Sequence, residues 1–530
     1  MFEHSDFDVI VIGSGSGGLS AAAYLAHAGR RVLVVEARDA VGGHISSFTH
    51  GDYEFDIGLH YTSATHVREA LQPLGIDIEF REYDPDGMFR VHGPGRELAV
   101  PRGMENFRSR LHGMFPDEHD VIESYLGTVE LLGEEMQLMQ ERPHLREIPK
   151  LPWKMRGLIR HATATAGGYL DSLHASPALK SALLGWTGGA MAVAPSRWSL
   201  PVAAVMLSGF LDGLAYPQGG SRVISEGLAE VVRRNGGEIL LDTEVSRILV
   251  DHGNVRGVQV RNASFDENPE APRDILAPAV VSAVDVKQTY LGLLPPDAVP
   301  SRLLHRVRSY ELALPLMVVY LVLDRDLADE GFPNSLFQVS RTHDMDALYA
   351  ALRAGDFPED NAVSVWIANL ADPGNPRLCP PGQTNLQLMS LAPADHTWWG
   401  VAAGRGPTPR YLSRTHHVRD QMIRTAEHVI PGLSKAIVYE ETATPIAQER
   451  LMRVAGGTSY GPALTPRQTW TRLGQTSPVN GLFHAGAGVR PSHGVSPTLH
   501  GGLAAAAAVT GMPVVELQSG SSGVEAVARR

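Results

Sequence analysis

The chain has 530 residues, 43% of them hydrophobic, and a formal net charge of -12. That length and apolar content suit several domains around a large buried core, and the acidic balance argues against nucleic acid as a partner. The single cysteine, Cys379, rules out an intrachain disulfide and points to a reducing compartment.

The opening stretch, Met1-Phe2-Glu3-His4-Ser5-Asp6, lacks the basic start of a secretory signal, so a cytoplasmic address is expected. No run reaches the roughly 18 uninterrupted apolar residues of a membrane span; Leu200 to Leu211 comes nearest.

Val9-Ile10-Val11-Ile12 is wholly apolar, as befits a central parallel strand covered on both faces. Gly13-Ser14-Gly15-Ser16-Gly17-Gly18 follows and fits G-x-G-x-x-G. In that motif the glycines permit a tight turn, close approach of backbone to a pyrophosphate, and close packing of helix on strand. Leu19, Ala22, Ala23, Leu25 and Ala26 then fall at helical spacing, Gly29 sits where a left-handed cap ends the helix, and Val32-Leu33-Val34-Val35 is a second strand. Glu36 closes it at about 20 residues from the glycines, where an acid takes the ribose hydroxyls of an adenine dinucleotide. The motif by itself fits NAD and FAD equally.

Further along, Asp84-Pro85-Asp86-Gly87 and His92-Gly93-Pro94-Gly95 mark a hairpin, and residues 106 to 140 are helical and acidic. Arg142, Arg146, Lys150, Lys154, Arg156 and Arg160 oppose the single acid Glu147. Met155, Leu158, Ile159 and Ala162 form an apolar face beside Trp153, after Pro152 as a helix opener. Such a stretch suits an anionic membrane surface or an ordinary solvated helix. Residues 178 to 216, rich in Ala, Leu, Met and Trp, read as core or as the lining of an apolar pocket.

A helix over 221 to 235 precedes strands at 239 to 241 and 245 to 249, a short strand at 254 to 261, a polar loop at 266 to 272 and a buried strand at Ala279–Ala283. Strands at 315 to 323, 362 to 368 and 384 to 391, a turn at Cys379 to Gly382 and a helix at 419 to 429 indicate a second domain. Gly481 to Gly488 is a strand running into a glycine turn. Ser496-Pro497 then reads as N-cap and first helical position of a helix reaching Gly511, with Gly501-Gly502 tolerable inside it only where another element packs very close. The free N–H groups and partial positive charge of its N-terminus favour an anion beside Gly494 and Val495. The tail from Gln518 is rich in Ser and Gly and is expected to be disordered.

His-Glu-x-x-His, Cys-x-x-Cys and G-x-S-x-G are all missing from the sequence, so metal hydrolysis, thiol redox chemistry and a hydrolase triad have no support, and no metal is expected. A second dinucleotide motif framed by strand and helix is also missing, so a second, stable nicotinamide site is not expected.

The run from Glu36 through Ala37, Arg38, Gly42, Gly43 and His44, followed by Phe55-Asp56-Ile57-Gly58-Leu59-His60-Tyr61 and later Tyr216-Pro217-Gln218-Gly219-Gly220, resembles the FAD-dependent amine oxidase and phytoene desaturase superfamily. Within it the pattern looks most like carotenoid isomerases and retinol saturases. The resemblance implies an α/β fold: a Rossmann-type FAD-binding domain from residues 1–80, 216–290 and 476–515 with an inserted mixed α+β substrate domain. The helical part of that domain would be 81–215 and the remainder 291–475, with a disordered tail at 516–530.

FAD is the implied cofactor. Gly13, Ser14, Gly15, Gly17, Gly18, Glu36, Ala37, Arg38, Gly42, Gly43, His44, Gly58, His60, Val245, Gly486, Ala487, Gly494 and Val495 would surround it, with Ala487 replacing an acid found in related enzymes. His60 or Tyr61 would handle protons near the ring, His60 being equally readable as a structural histidine. The implied activity is saturation or desaturation of a polyene or isoprenoid lipid by hydride transfer at flavin N5. Alternatives are a redox-neutral polyene isomerase using reduced FAD, an amine oxidase, or a lipid carrier with inert FAD. An apolar substrate, a quinone or other electron partner, and peripheral membrane contact complete the expectation.

Overall fold

The computed structural model describes residues 7–140, 151–263, 271–401 and 407–519. Met1 to Asp6, Arg142, Arg146, Glu147 and Lys150, Asp266 to Glu270, and the tail from residue 520 lie outside the described residues.

Five parallel strands build the nucleotide sheet, in the order Leu482–His484, Ala279–Ser282, Val9–Ile12, Val32–Val35, Glu238–Leu240. Alternation of side chains across each strand explains why the runs are apolar throughout. Val9 and Val11 enter the core on one face and Ile10 and Ile12 the core on the other, as do Val32 and Val34 against Leu33 and Val35. The first core is closed by helices Ser16–His27, Arg222–Arg234 and Val495–Thr510. The second is closed by an antiparallel sheet of Thr243–Asp251, Asn254–Asn262 and Arg273–Leu276 and by helix Ser301–Arg308. The two strands expected just after Gly237 thus enter different sheets.

The other large layer is a seven-stranded sheet, ordered Ile437–Ala443, Leu316–Leu323, Thr384–Leu391, Val363–Ile367, Leu336–Val339, Phe89–Gly93, Arg96–Val100. Its last two strands are the hairpin foreseen around Gly93. Phe89–Gly93 pairs with Leu336–Val339 in parallel and with Arg96–Val100 antiparallel, so the 81–215 segment, expected as the helical part of the second domain, contributes two strands to this sheet. Helices His119–Gln140 and Leu200–Leu211 pack together beside it, and Leu200, Ala203, Ala204, Leu207 and Leu211 are buried in the third core. Among the described residues no helix is long and apolar enough to cross a membrane.

Three boundaries differ from expectation. The last long helix starts at Val495, capped by Gly494 at φ 97°, so Ser496 and Pro497 lie within its first turn, where the missing Pro N–H has no helical partner to lose. The helix expected from Arg419 starts at Pro409, with the Thr408 hydroxyl accepting from the Tyr411 N–H. Val514–Ser519 is helical where a disordered tail is expected, because Leu517 is buried in the core of the nucleotide lobe.

Candidate functional site

One cleft gathers the carboxyl ends of four of the five parallel strands. Gly13, Gly15, Ser16 and Gly17 follow the first strand, Glu36, Ala37 and Arg38 the second, Ala283, Val284 and Asp285 the strand at 279–282, and Gly486, Ala487 and Gly488 the strand at 482–484; all line it. Ligands of open α/β sheets bind at this edge. Gly43, His44, Gly58, Val245, Gly494 and Val495 line the cleft as well, so most of the residues singled out from the sequence share one surface.

Ser14 and Gly18 act behind that surface. Ser14 is fully buried and gives both its backbone N–H (2.8 Å) and its hydroxyl (2.7 Å) to Glu36 Oε2, while Glu36 Oε1 accepts from the Arg38 N–H (2.9 Å). The acid is therefore fixed with its orientation set by the glycine loop, and the Ser14 hydroxyl is spent on that bond. A Cβ on Gly18 would lie 2.0 Å from the Gly13 carbonyl oxygen, so this glycine serves helix-on-strand packing. Gly42, at φ 112°, gives its N–H to the Ser14 carbonyl and locks the Gly-Gly doublet onto the loop. Arg38 Nη1 reaches Ser46 Oγ (3.0 Å) and the Gly43 carbonyl (3.3 Å), bracing the same turn.

The last long helix crosses the first at this point. A Cβ on Gly502 would lie 2.4 Å from the Gly17 oxygen and 2.8 Å from the Ala21 nitrogen, which is the close packing the Gly501-Gly502 pair implies. Thr498 Oγ1 and Ser16 Oγ, 2.7 Å apart, join the two N-termini.

His60 and Tyr61, expected to handle protons near the ring, are not among the residues that line the cleft. Gln387 donates from Nε2 to the Asp56 carbonyl (3.0 Å), so its Oε1 must accept from His60 Nε2–H (2.8 Å), and the ring packs edge-on against Trp366. Burial pushes the His60 pKa down to about 4 against the raising effect of that bond, so the ring is neutral and structurally committed. Tyr61 stands edge-on to Phe89 and Phe210, and burial holds its phenol well above the ordinary range. Asp56 is also structural: it accepts from the Tyr216, Ser47 and Ser221 hydroxyls and the Ser221 N–H.

Several lining residues carried no sequence argument. Asp285 caps the short helix after the strand at 279–282, accepting from the N–H groups of Lys287 and Gln288, and its place at a strand's carboxyl end was the available signal. Thr243, Glu244, Gln288, Met452 to Val454 and Thr458 to Gly461 complete the wall. The last two segments come from the other lobe, and only the folded chain brings them here.

Buried atoms without partners test what the cleft accepts. His44 Nε2 and Gln288 Oε1 are both buried, both unpartnered, and both on lining residues, so the wall offers unsatisfied polar atoms to a bound polar group. His44 is held neutral, with its pKa lowered to about 4 by burial and then by Arg38. A phosphate loop, a ribose acid and orphan polar atoms deeper in the cleft fit a flavin dinucleotide.

The family model for flavin containing amine oxidoreductase matches residues 16–385. The chain belongs to this family. It is an FAD-dependent oxidoreductase whose nucleotide lobe is of the Rossmann type, with a mixed α/β second lobe. An all-trans-retinol 13,14-reductase of Macaca fascicularis is 26% identical, covering 95% of this chain and 85% of the relative. Prolycopene isomerase 1 of an Oncidium hybrid cultivar is 24% identical over 94% and 83% of the two chains. The solved cyclohexylamine oxidase of Brevibacterium oxydans shares the fold with a TM-score of 0.62 at 18% identity, covering 97% of this chain and 100% of that one.

Proposed function

We propose that this FAD-dependent oxidoreductase adds or removes hydrogen across a carbon–carbon bond of an apolar polyene, such as a retinoid or carotenoid. Bound FAD supplies hydride transfer at N5, and the remaining tasks fall to the chain's own residues. Gly13, Gly15 and Gly17 would cradle the pyrophosphate, Glu36 the adenosine ribose, Val245 the adenine, and Gly494-Val495 the N1–O2 edge of the ring.

The observation that carries the substrate class is the aromatic packing beside Tyr460 on the cleft wall. Tyr460 lines the cleft with its ring centroid 4.9 Å from that of His493. The titratable groups that act on the Tyr460 phenol are Tyr61 and Tyr349, with no carboxylate among them. Tyr61 in turn packs on Phe89 and Phe210. A hydrocarbon would bury apolar area against these rings. Retinol reductase and prolycopene isomerase relatives along nearly the full chain support the same class. The isomerase relative also favours a second reading, redox-neutral double-bond isomerisation with reduced FAD.

Access from a membrane belongs to the proposal. Trp153 is 83% exposed and Ile159 64% exposed, next to the exposed Lys154, Arg156 and Arg160. Leu158 turns into the core, so the apolar face read from the sequence divides between the interior and solvent. An aromatic and an isoleucine flanked by cations suit an anionic bilayer surface.

Anaerobic incubation with a panel of polyenes, read by product mass and flavin absorbance together, tests the reaction. A change of two hydrogens with matching flavin oxidation or reduction supports saturation or desaturation. Unchanged mass with altered retention time supports isomerisation. Turnover of amines alone would overturn the proposal.

A further inference from the structure

Arg472 directly follows helix Pro466–Thr471 and is only 2% exposed. Its Nη2 donates to the carbonyls of Ala487 (2.8 Å) and Pro462 (3.3 Å), while Nε and Nη1 are buried without partners. It forms no ion pair among the described residues, and the titratable group that acts on it is the Tyr310 phenol. Burial lowers its pKa to about 10, which leaves it protonated at neutral pH. An unpaired guanidinium in the interior is costly, by several kcal/mol on the order of the desolvation of one ion.

The location of this charge bears on the cofactor. Ala487 lines the cleft, and Pro462 follows Gly461, which lines it too. Arg472 also acts on His493, which burial first and this charge second drive down to a pKa of about 3. His493 immediately precedes Gly494 and Val495 at the N-terminus of the last long helix. The cation therefore stands behind the cleft wall at Ala487, with His493 among the groups it acts on. Ala487 offers no carboxylate to neutralise it, although the resemblance led us to expect an acid at this turn in related enzymes.

We propose that Arg472 is a positioning residue whose uncompensated charge stabilises the negative charge the flavin ring gains on reduction. Hydride uptake brings two electrons and one proton to N5 and leaves one net negative charge over N1 and O2. A fixed cation and the helix N-terminus both favour that state. This inference rests on the placement of the ring beside Gly494-Val495 and is independent of the polyene.

The test uses FAD-loaded protein, reduced stepwise with dithionite against a reference dye in the absence of oxygen, with FAD affinity and melting followed in parallel. Arg472→Gln should shift the reduction equilibrium toward oxidised flavin by about tenfold, and Arg472→Lys by no more than about threefold. Ala487→Asp leaves Arg472 and its backbone bonds in place but supplies an opposing charge, and should shift the equilibrium in the same direction as Arg472→Gln. If Arg472→Gln does not fold, Arg472→Met, which keeps an apolar stem without the buried charge, decides. An unchanged equilibrium in the FAD-loaded variants, a shift in Arg472→Lys equal to that in Arg472→Gln, or a change confined to FAD affinity would overturn the proposal. Because no polyene is present, failure of the substrate assignment leaves this test intact.

Discussion

Replacing Gly502 with alanine perturbs the crossing on which the phosphate loop depends. The added Cβ would sit 2.4 Å from the Gly17 oxygen, 2.6 Å from Ser20 Cβ and 2.8 Å from the Ala21 nitrogen. Two of these atoms are backbone, so the clash can be relieved only by moving helix Ser16–His27 away from helix Val495–Thr510. Alanine gains about 1 kcal/mol over glycine in a helix interior, while overpacking costs about 1–3 kcal/mol. With backbone in the way the upper end applies, leaving a net loss of about 1–2 kcal/mol. The displaced atoms include Gly17, whose own Cβ position lies 2.5 Å from the Gly486 nitrogen, so the strain is delivered to both sides of the cleft. FAD affinity should fall by about tenfold, one factor of ten per 1.4 kcal/mol. Chemical denaturation and fluorescence titration of apoprotein with FAD read the two effects. Gly127→Ala is the control: it lies exposed in helix His119–Gln140 with nothing within 4 Å of the added carbon, and should stabilise by about 0.5–1 kcal/mol. A Gly502→Ala protein as stable as the parent, with FAD affinity intact, would refute the close-crossing argument.

Three further outcomes are expected. Ser14→Ala removes the hydroxyl held by Glu36 but leaves the backbone N–H bond, and should weaken FAD binding about tenfold, the worth of one hydrogen bond to a charged acceptor; an unchanged titration would mean that the N–H alone fixes the acid. His44, His60 and His484 have folded pKa values lowered to about 4, and His493 to about 3, in each case chiefly by burial. The unfolded state then binds more protons than the folded one below the ordinary histidine range. Stability should be complete above about pH 6.5 and fall toward pH 4, by up to about 3 kcal/mol per ring with a folded pKa near 4; urea midpoints that stay flat across this window would contradict the neutral assignments. Trp153→Ser should reduce co-sedimentation with phosphatidylserine vesicles several-fold while leaving FAD content unchanged, and equal binding by parent and variant would remove this patch from membrane contact.

The nucleotide lobe was legible because its signals are local. An apolar run, a glycine turn, a helix period and an acid at fixed spacing each depend on a few neighbours, and the strand at Val9–Ile12 and the fixing of Glu36 fall where those signals put them. The Gly501-Gly502 pair carried the same kind of information, since two missing side chains in a helix imply an approaching backbone. What the sequence hid depends on contacts between distant segments. Thr458 to Gly461 and Met452 to Val454 reach the cleft only through the packing of the second lobe, and nothing in their composition marks a cofactor wall. The setting of His60 was hidden for a related reason. Gly58, two residues earlier, lines the cleft, but beyond it the chain turns the imidazole toward Gln387 and Trp366, partners more than 300 residues away. Arg472 carried no argument in the sequence, and only its burial behind Ala487 gives it meaning.

The protonation states around the cleft constrain the chemistry in one direction. Histidines 44 and 493 are neutral at physiological pH, and the Tyr460 phenol is held well above its usual range by burial. A proton-transfer mechanism needs a group whose pKa lies near the working pH, and none of these qualifies. On the placement proposed above, the charge at the ring end would be positive, from Arg472 and the N-terminus of the last long helix. Positive charge there opposes a cationic substrate and favours electrons on the flavin. A reaction that begins or ends with hydride on N5 uses that bias directly, and an apolar polyene, which delocalises the complementary charge within its own π-system, needs no side-chain counterion at all.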